Sequence, residues 1–309
     1  MRFTELGKMR FFAAGSALVL AVLLLSGGCG KTPDHYIAQL KSLQASERTK
    51  AANALIRFDA DEVVPLLVRE AQSGYIRVRF EVIGLLGRFK DPRGIPPLIV
   101  ALDDKSPNVA ARAALALAQM HVVEALPALL KYARDPSEVT RQYVLGALGP
   151  CHSYELEPVL SDSAHRVVLH ALQASKPKWR ISALQSLREF GYKGGIEGVI
   201  RLSRDPSPEV RHVAVQALGE IGSGKHVAPP GIDPIEPVSV RARDNIIEAL
   251  LVALDDSELQ SIRTKAVRAL AEIGDARVVK PIEELARGGS DEDRLEAQRA
   301  LDKLRPGAG

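Results

Sequence analysis

Along most of the chain, apolar side chains return on a 31-residue beat. The stretches ERTKAANAL, VRFEVIGLL, VAARAALAL, TRQYVLGAL, WRISALQSL, VRHVAVQAL, IRTKAVRAL and DRLEAQRAL align on Arg48, Arg79, Ala110, Arg141, Arg180, Arg211, Arg263 and Arg294. Two of the intervals widen to 39 and 52 residues, which marks insertions. Three residues after the aligned position stands Ala or Val, seven after it always Leu, and ten after it a larger side chain such as Phe58, Met120, Cys151 or Ile273. Offsets of 3, 7 and 10 fall on one stripe of an α-helix. Each copy is therefore expected to open with an amphipathic helix, whose small residues let neighbouring helices approach closely.

A second apolar run follows in most copies, as in VVPLLVREA, IPPLIVALDD and ALPALLKYARD. Pro65, Pro96 and Pro127 recur 31 residues apart near the expected start of this second helix, where a missing N–H costs little. The short turns DDKSP, RDPSE and RDPSPE offer Asp or Ser as caps for the next helix and Pro for its first turn. One helix pair cannot cover its own apolar face, so successive pairs must stack.

Paired helices with Asp six residues before Arg, as at Asp135/Arg141 and Asp205/Arg211, resemble HEAT repeats of the short bacterial kind also found in phycobilin lyase subunits. The resemblance implies an all-α fold: an α-solenoid of stacked helical hairpins, wound as a right-handed superhelix, in which Asp and Arg bridge successive turns. Ala110 and several absent acids leave that ladder incomplete. About eight repeats are expected over residues 44–305, with insertions near 150–165 and 223–242. A tether and capping helix occupy 29–43, and a short tail 306–309.

The N-terminus has a different pattern. Arg2, Lys8 and Arg10 precede the uncharged run FFAAGSALVLAVLLL, which is short for a membrane span and reads as an export signal, with translation starting at Met1 or Met9. LLSGGCG resembles the lipobox of bacterial lipoproteins, although Ser26 stands where the family places Leu. The resemblance implies removal of residues 1–28 and acylation of Cys29. It also implies an envelope location: the outer membrane facing the periplasm where two membranes exist, otherwise the outer face of the cytoplasmic membrane. An ordinary secretory signal with an incidental cysteine is the alternative.

Charge narrows the partners. The chain of 309 residues carries a net +3, and removal of residues 1–28 leaves +1. A nearly neutral protein is poorly suited to wholesale attraction of nucleic acid, so no nucleic-acid partner is expected. GEIGSGKH at residues 219–226 comes close to a phosphate-gripping loop, but Gly219 to Gly222 are expected to end a helix and His226 stands where a hydroxyl is required. No nucleotide and no cofactor are expected. Cys151, His152, His165 and His170 share a neighbourhood that could hold zinc, yet Cys151 occupies an apolar offset and packing explains it better. No metal site and no catalytic residues are assigned.

Alignment of the second helices places Arg69, Lys131 and Arg201 at one offset, with His170 alongside, and Arg134 and Arg204 three residues later. Positions three apart share a helical face. The family's second helices line the concave side, so these cations are the candidate partner-binding residues, against the alternative of an ordinary solvated face. The expected function is a non-enzymatic scaffold or adaptor that grips one or more envelope proteins and meets the membrane through its lipid anchor. The alternative is an enzyme or chromophore handler of the bilin-lyase type.

Overall fold

The computed structural model describes residues 31–153, 156–192, 194–224 and 238–305. Cys29 and the signal before it, residues 225–237 of the second insertion and the tail 306–309 lie outside them. Among the described residues all regular structure is helical, with no strand. No helix among them is long and apolar enough to cross a membrane.

A short helix α1 (Pro33–Gln39) precedes the repeats. The 31-residue beat then becomes a series of first helices: α2 (Ala45–Leu55), α4 (Ile76–Phe89), α6 (Pro107–Met120) and α8 (Glu138–Leu148). It continues as α10 (Pro177–Glu189), α12 (Pro208–Ser223), α14 (Gln260–Ile273) and α16 (Asp291–Leu304). Second helices alternate with them: α3 (Ala60–Glu70), α5 (Ile95–Ala101), α7 (Leu126–Tyr132), α9 (Pro158–Ala171), α11 (Ile196–Leu202), α13 (Val240–Val252) and α15 (Val279–Gly288). Each first helix packs on the next first helix, which produces the two-layered stack of hairpins that the sequence predicts.

The stripe is the core. All eight residues at offset 3, from Ala51 to Ala297, have no exposed surface, and the leucines at offset 7 are buried from Leu55 to Leu301. Each such leucine contributes about 1.5–3 kcal/mol by leaving water. Offset 10 is graded: Phe58, Phe89 and Met120 are half-buried, whereas Cys151, Phe190 and Ile221 are fully enclosed.

Glycine sets the spacing of the first helices, which the periodic stripe does not reveal. A Cβ on Gly87 would lie 2.6 Å from the Ala116 Cβ, one on Gly149 2.5 Å from the Ser186 carbonyl oxygen, and one on Gly219 2.8 Å from the Ala269 Cβ. All three stand eight residues after the aligned position and meet a small residue six after it in the next copy. The Gly149 N–H also donates to the Ser186 hydroxyl at 2.5 Å.

Three local expectations need correction. Gly219 and Gly222 do not stop α12, which continues to Ser223 and ends on Gly224 at φ 65°. Gly222 stays helical because it fits beneath Ile273 and Ile246. The equivalent residues Lys90, His121 and Gly274 do adopt the left-handed stop. Pro96 and Pro127 sit in the first turns of α5 and α7, but Pro65 lies inside α3. Of the turn serines, Ser137 caps its helix, whereas Ser106 and Ser207 make no side-chain cap. The turn aspartates act one step earlier: Asp104, Asp135 and Asp205 accept from the N–H groups of Ser106, Ser137 and Ser207.

Those aspartates also join repeats. Arg79 grips Asp104 with Nε at 2.6 Å and Nη2 at 2.9 Å, while its Nη1 donates to the Ser73 carbonyl of its own turn. Arg211–Asp256 repeats the arrangement, Arg180 reaches Asp205 through Nη2 at 2.6 Å, and Arg263 finds Asp293 in α16 instead. Burial alone would raise the Asp104 and Asp256 carboxyls, but hydrogen bonds from Arg79 and Arg211 and from the turn N–H groups outweigh it and hold both below the usual carboxylate range. Arg48, Ala110 and Arg141 lack the rung: Ser73 replaces the first acid, the Asp135 carboxylate meets no arginine among the described residues because Ala110 stands in its place, and Ala174 stands where Arg141 would find its acid.

Candidate functional site

The expected line of cations is divided by the fold. Arg69 in α3 lies 4.0 Å from Asp34 of α1, both well exposed. Lys131 in α7 donates to the Tyr132 hydroxyl at 3.1 Å and rests over that ring. Arg201 in α11 and Arg204 just beyond it are exposed and have no ion pair among the described residues.

Arg134, at the end of the second helix of its repeat, enters a groove of about 670 Å³ between α7, α8, α9 and α10. Arg141, Arg166 and His170 line it with Arg134, Trp179 and Leu145 form part of its apolar wall, and among the described residues no Asp or Glu lines it. Arg141 lies 4.3 Å from the centre of the Trp179 ring, within range of a cation–π contact. Its Nε and Nη2 both turn back to the Asp135 carbonyl, at 2.9 and 2.5 Å. Among the described residues Arg166 donates only to Ser163, at 3.2 Å. Reading the sequence by second-helix offsets missed Arg141, because it belongs to a first helix, and Arg166, because it stands one helical turn before the offset that holds His170. The available signal was Ala174, a gap in the acid ladder.

The histidine and cysteine neighbourhood is an aromatic stack. The rings of His152 and His165 lie 4.1 and 4.8 Å from the Phe190 ring, close to parallel. The Cys151 thiol is enclosed, and burial pushes it up to about 12. His170 is on the groove instead. Among the described residues no three His, Cys, Asp or Glu side chains converge as metal ligands.

A second surface was not anticipated. Tyr75, Ile76, Leu115, Val139 and Tyr143 are between 39% and 56% exposed, and all five line one cleft of about 810 Å³ along α4, α6 and α8. Arg77 and Arg112 complete it, with Arg112 lying over Phe80 at 4.3 Å. Gly84 leaves the space for that guanidinium.

The comparisons with known proteins agree with this architecture. The family of HEAT repeats matches residues 65–149, 95–168 and 165–230, and the PBS lyase HEAT-like repeat matches 262–288. Curated protein sequences give no match. Among solved structures, YibA of Escherichia coli is 18% identical with a TM-score of 0.60 over 88% of this chain and 91% of its own. Kap95p, from a complex with RanGDP, is 17% identical with a TM-score of 0.56 over 88% of this chain and 38% of its own. The CpcE and CpcF complex of phycocyanin lyase from Nostoc has 19% identity and a TM-score of 0.49 over 90% and 97%, too distant to carry an argument. At such identities the likeness concerns the fold alone. The repeat stripe, the Asp–Arg rungs and family matches over more than half the sequence lead to one conclusion: this chain belongs to the HEAT-repeat family.

Proposed function

We propose that this protein is a non-enzymatic interaction scaffold, held at the cell envelope by acylation of Cys29, whose solenoid receives another envelope protein. The observation that supports it best is the cleft on α4, α6 and α8, where tyrosine, aliphatic side chains and arginine are gathered and left open to solvent. Tyrosine and arginine are the side chains that dominate protein interfaces, because each combines a large contact area with polar bonding. The exposed cations of the second helices, Lys131, Arg134, Arg201 and Arg204, supply a further contact face.

Crosslinking in intact cells followed by mass spectrometry is the direct test. A Tyr75→Ala, Tyr143→Ala double variant should lose the crosslinked protein, and reversal of Arg201 and Arg204 to Glu should weaken its capture. A partner set unchanged by both would remove the scaffold reading. Anchoring is checked separately: Cys29→Ala should move the protein from the membrane fraction to the soluble fraction, and continued membrane association would rule out acylation as its cause. The lyase-type alternative draws on the family match at residues 262–288. A tetrapyrrole covalently processed on co-expression would favour that reading instead.

A further inference from the structure

The groove between α7 and α10 has a specific gap. At four junctions an arginine is met by a carboxylate: Arg79 by Asp104, Arg180 by Asp205, Arg211 by Asp256 and Arg263 by Asp293. Arg141 occupies the same place in its repeat, but its acid position is Ala174. Its fork folds back onto a backbone carbonyl, and Trp179 covers one face of the guanidinium. Arg134 and Arg166 project beside it without any ion pair among the described residues.

We propose that this groove docks an acidic segment of a partner protein, with its carboxylates on Arg134, Arg141 and Arg166 and an apolar side chain against Trp179. The proposal rests on the scaffold reading and names the chemistry of one contact. Three arginines with no facing acid among the described residues make a local cationic field in a protein whose mature charge is only +1, so the attraction belongs to this groove and not to the whole surface. Arginine receives carboxylates through paired N–H donors, as Arg79 does here. Leu145, Val167 and Trp179 supply an apolar floor that a bare anion would leave unused. A groove of about 670 Å³ takes a few side chains, whereas a bilayer surface cannot enter it.

Trp179 is the single tryptophan of the chain, so its emission reports directly on the groove. The full chain is titrated with the blocked peptide ELEEFE and with QLQQFQ, inorganic phosphate and phosphatidylglycerol vesicles. A saturable change with ELEEFE is expected, weaker by about tenfold or more for QLQQFQ. It should also weaken by about tenfold in an Arg134→Ala, Arg166→Ala double variant, and persist in Lys280→Ala, an exposed cation of α15 outside the groove lining. Both arginines are exposed, so the double variant keeps its fold, which circular dichroism verifies. Equal binding of QLQQFQ, equal response to phosphate or vesicles, undiminished binding by the double variant, or equal loss in Lys280→Ala each overturns the proposal. The Tyr75→Ala, Tyr143→Ala variant should bind ELEEFE normally. Loss of peptide binding alone, with crosslinked partner capture intact, rejects the groove and leaves the scaffold reading standing.

Discussion

The junction between α12 and α14 and the one between α8 and α10 start from the same repeat but finish differently. In the first, Arg211 closes on Asp256, and Asp256 also accepts from the Glu258 and Leu259 N–H groups. In the second, Arg141 has no carboxylate and a groove stands open beside it. The contrast extends along the chain. Arg263, Arg268, Arg277, Arg299 and Arg305 all meet carboxylates, whereas Arg112, Arg134, Arg141, Arg166, Arg201 and Arg204 meet none among the described residues. Arg134, Arg141 and Arg166 gather where a rung is missing, whereas Arg201 and Arg204, likewise without an acid among the described residues, stand beside the complete Arg180–Asp205 rung, so a missing rung accounts for the first group alone.

The strongest way to test that contrast is to remove one acid from each kind of junction. Asp256→Ala strips Arg211 of its main carboxylate partner and leaves two N–H groups unmet, so a loss of about 3 kcal/mol in urea unfolding is expected. Asp135→Ala removes one accepted N–H bond and should cost about 1 kcal/mol. Equal losses would mean that the rungs contribute nothing particular.

Glycine spacing at the open junction gives the next effect. Gly149→Ala forces a Cβ to 2.5 Å from backbone and should cost about 2 kcal/mol. Three residues earlier, Gly146→Ala meets only Ser182 at 3.9 Å and should stabilise by up to about 1 kcal/mol through helix propensity. Similar signs for the two substitutions would contradict the close-packing account.

Acid should weaken the closed junctions. The carboxyls of Asp104, Asp256 and Asp293 lie below their unfolded values because arginine and N–H bonds overcome the effect of burial. A depressed folded value contributes stability that is present above the unfolded value, about 3.9, and is lost as pH falls through the folded one. Urea midpoints should therefore decline below about pH 4, and Asp256→Asn should flatten the decline. An unchanged acid limb in that variant would remove Asp256 from the cause. The smallest effect concerns Ala110→Arg. It offers Asp135 the missing partner and should add roughly 0.5 kcal/mol, read as a raised melting temperature.

The stripe at offsets 3 and 7 was legible because burial of a helix face obeys one local period, and every alanine or valine of that set is enclosed as expected. Gly222 shows where local reading fails. Glycine before a polar stretch looks like a helix stop, but Ile273 and Ile246, which fit over it, come from other helices. The cation line shows the same limit: offsets three apart place Lys131 and Arg134 on one helix face, but do not reveal that Lys131 meets Tyr132 or that Arg134 lines a groove with Arg166.

The sequence by itself determined the all-helical fold and the oily spine, since each depends on side chains a few positions apart on one helix. Tertiary structure alone decided which arginines would be neutralised, how closely first helices could pass, and where open clefts remained. Those outcomes depend on residues 25 to 50 positions apart meeting within 3 Å, as Arg79 meets Asp104 and Arg211 meets Asp256. No local period specifies whether such a meeting takes place.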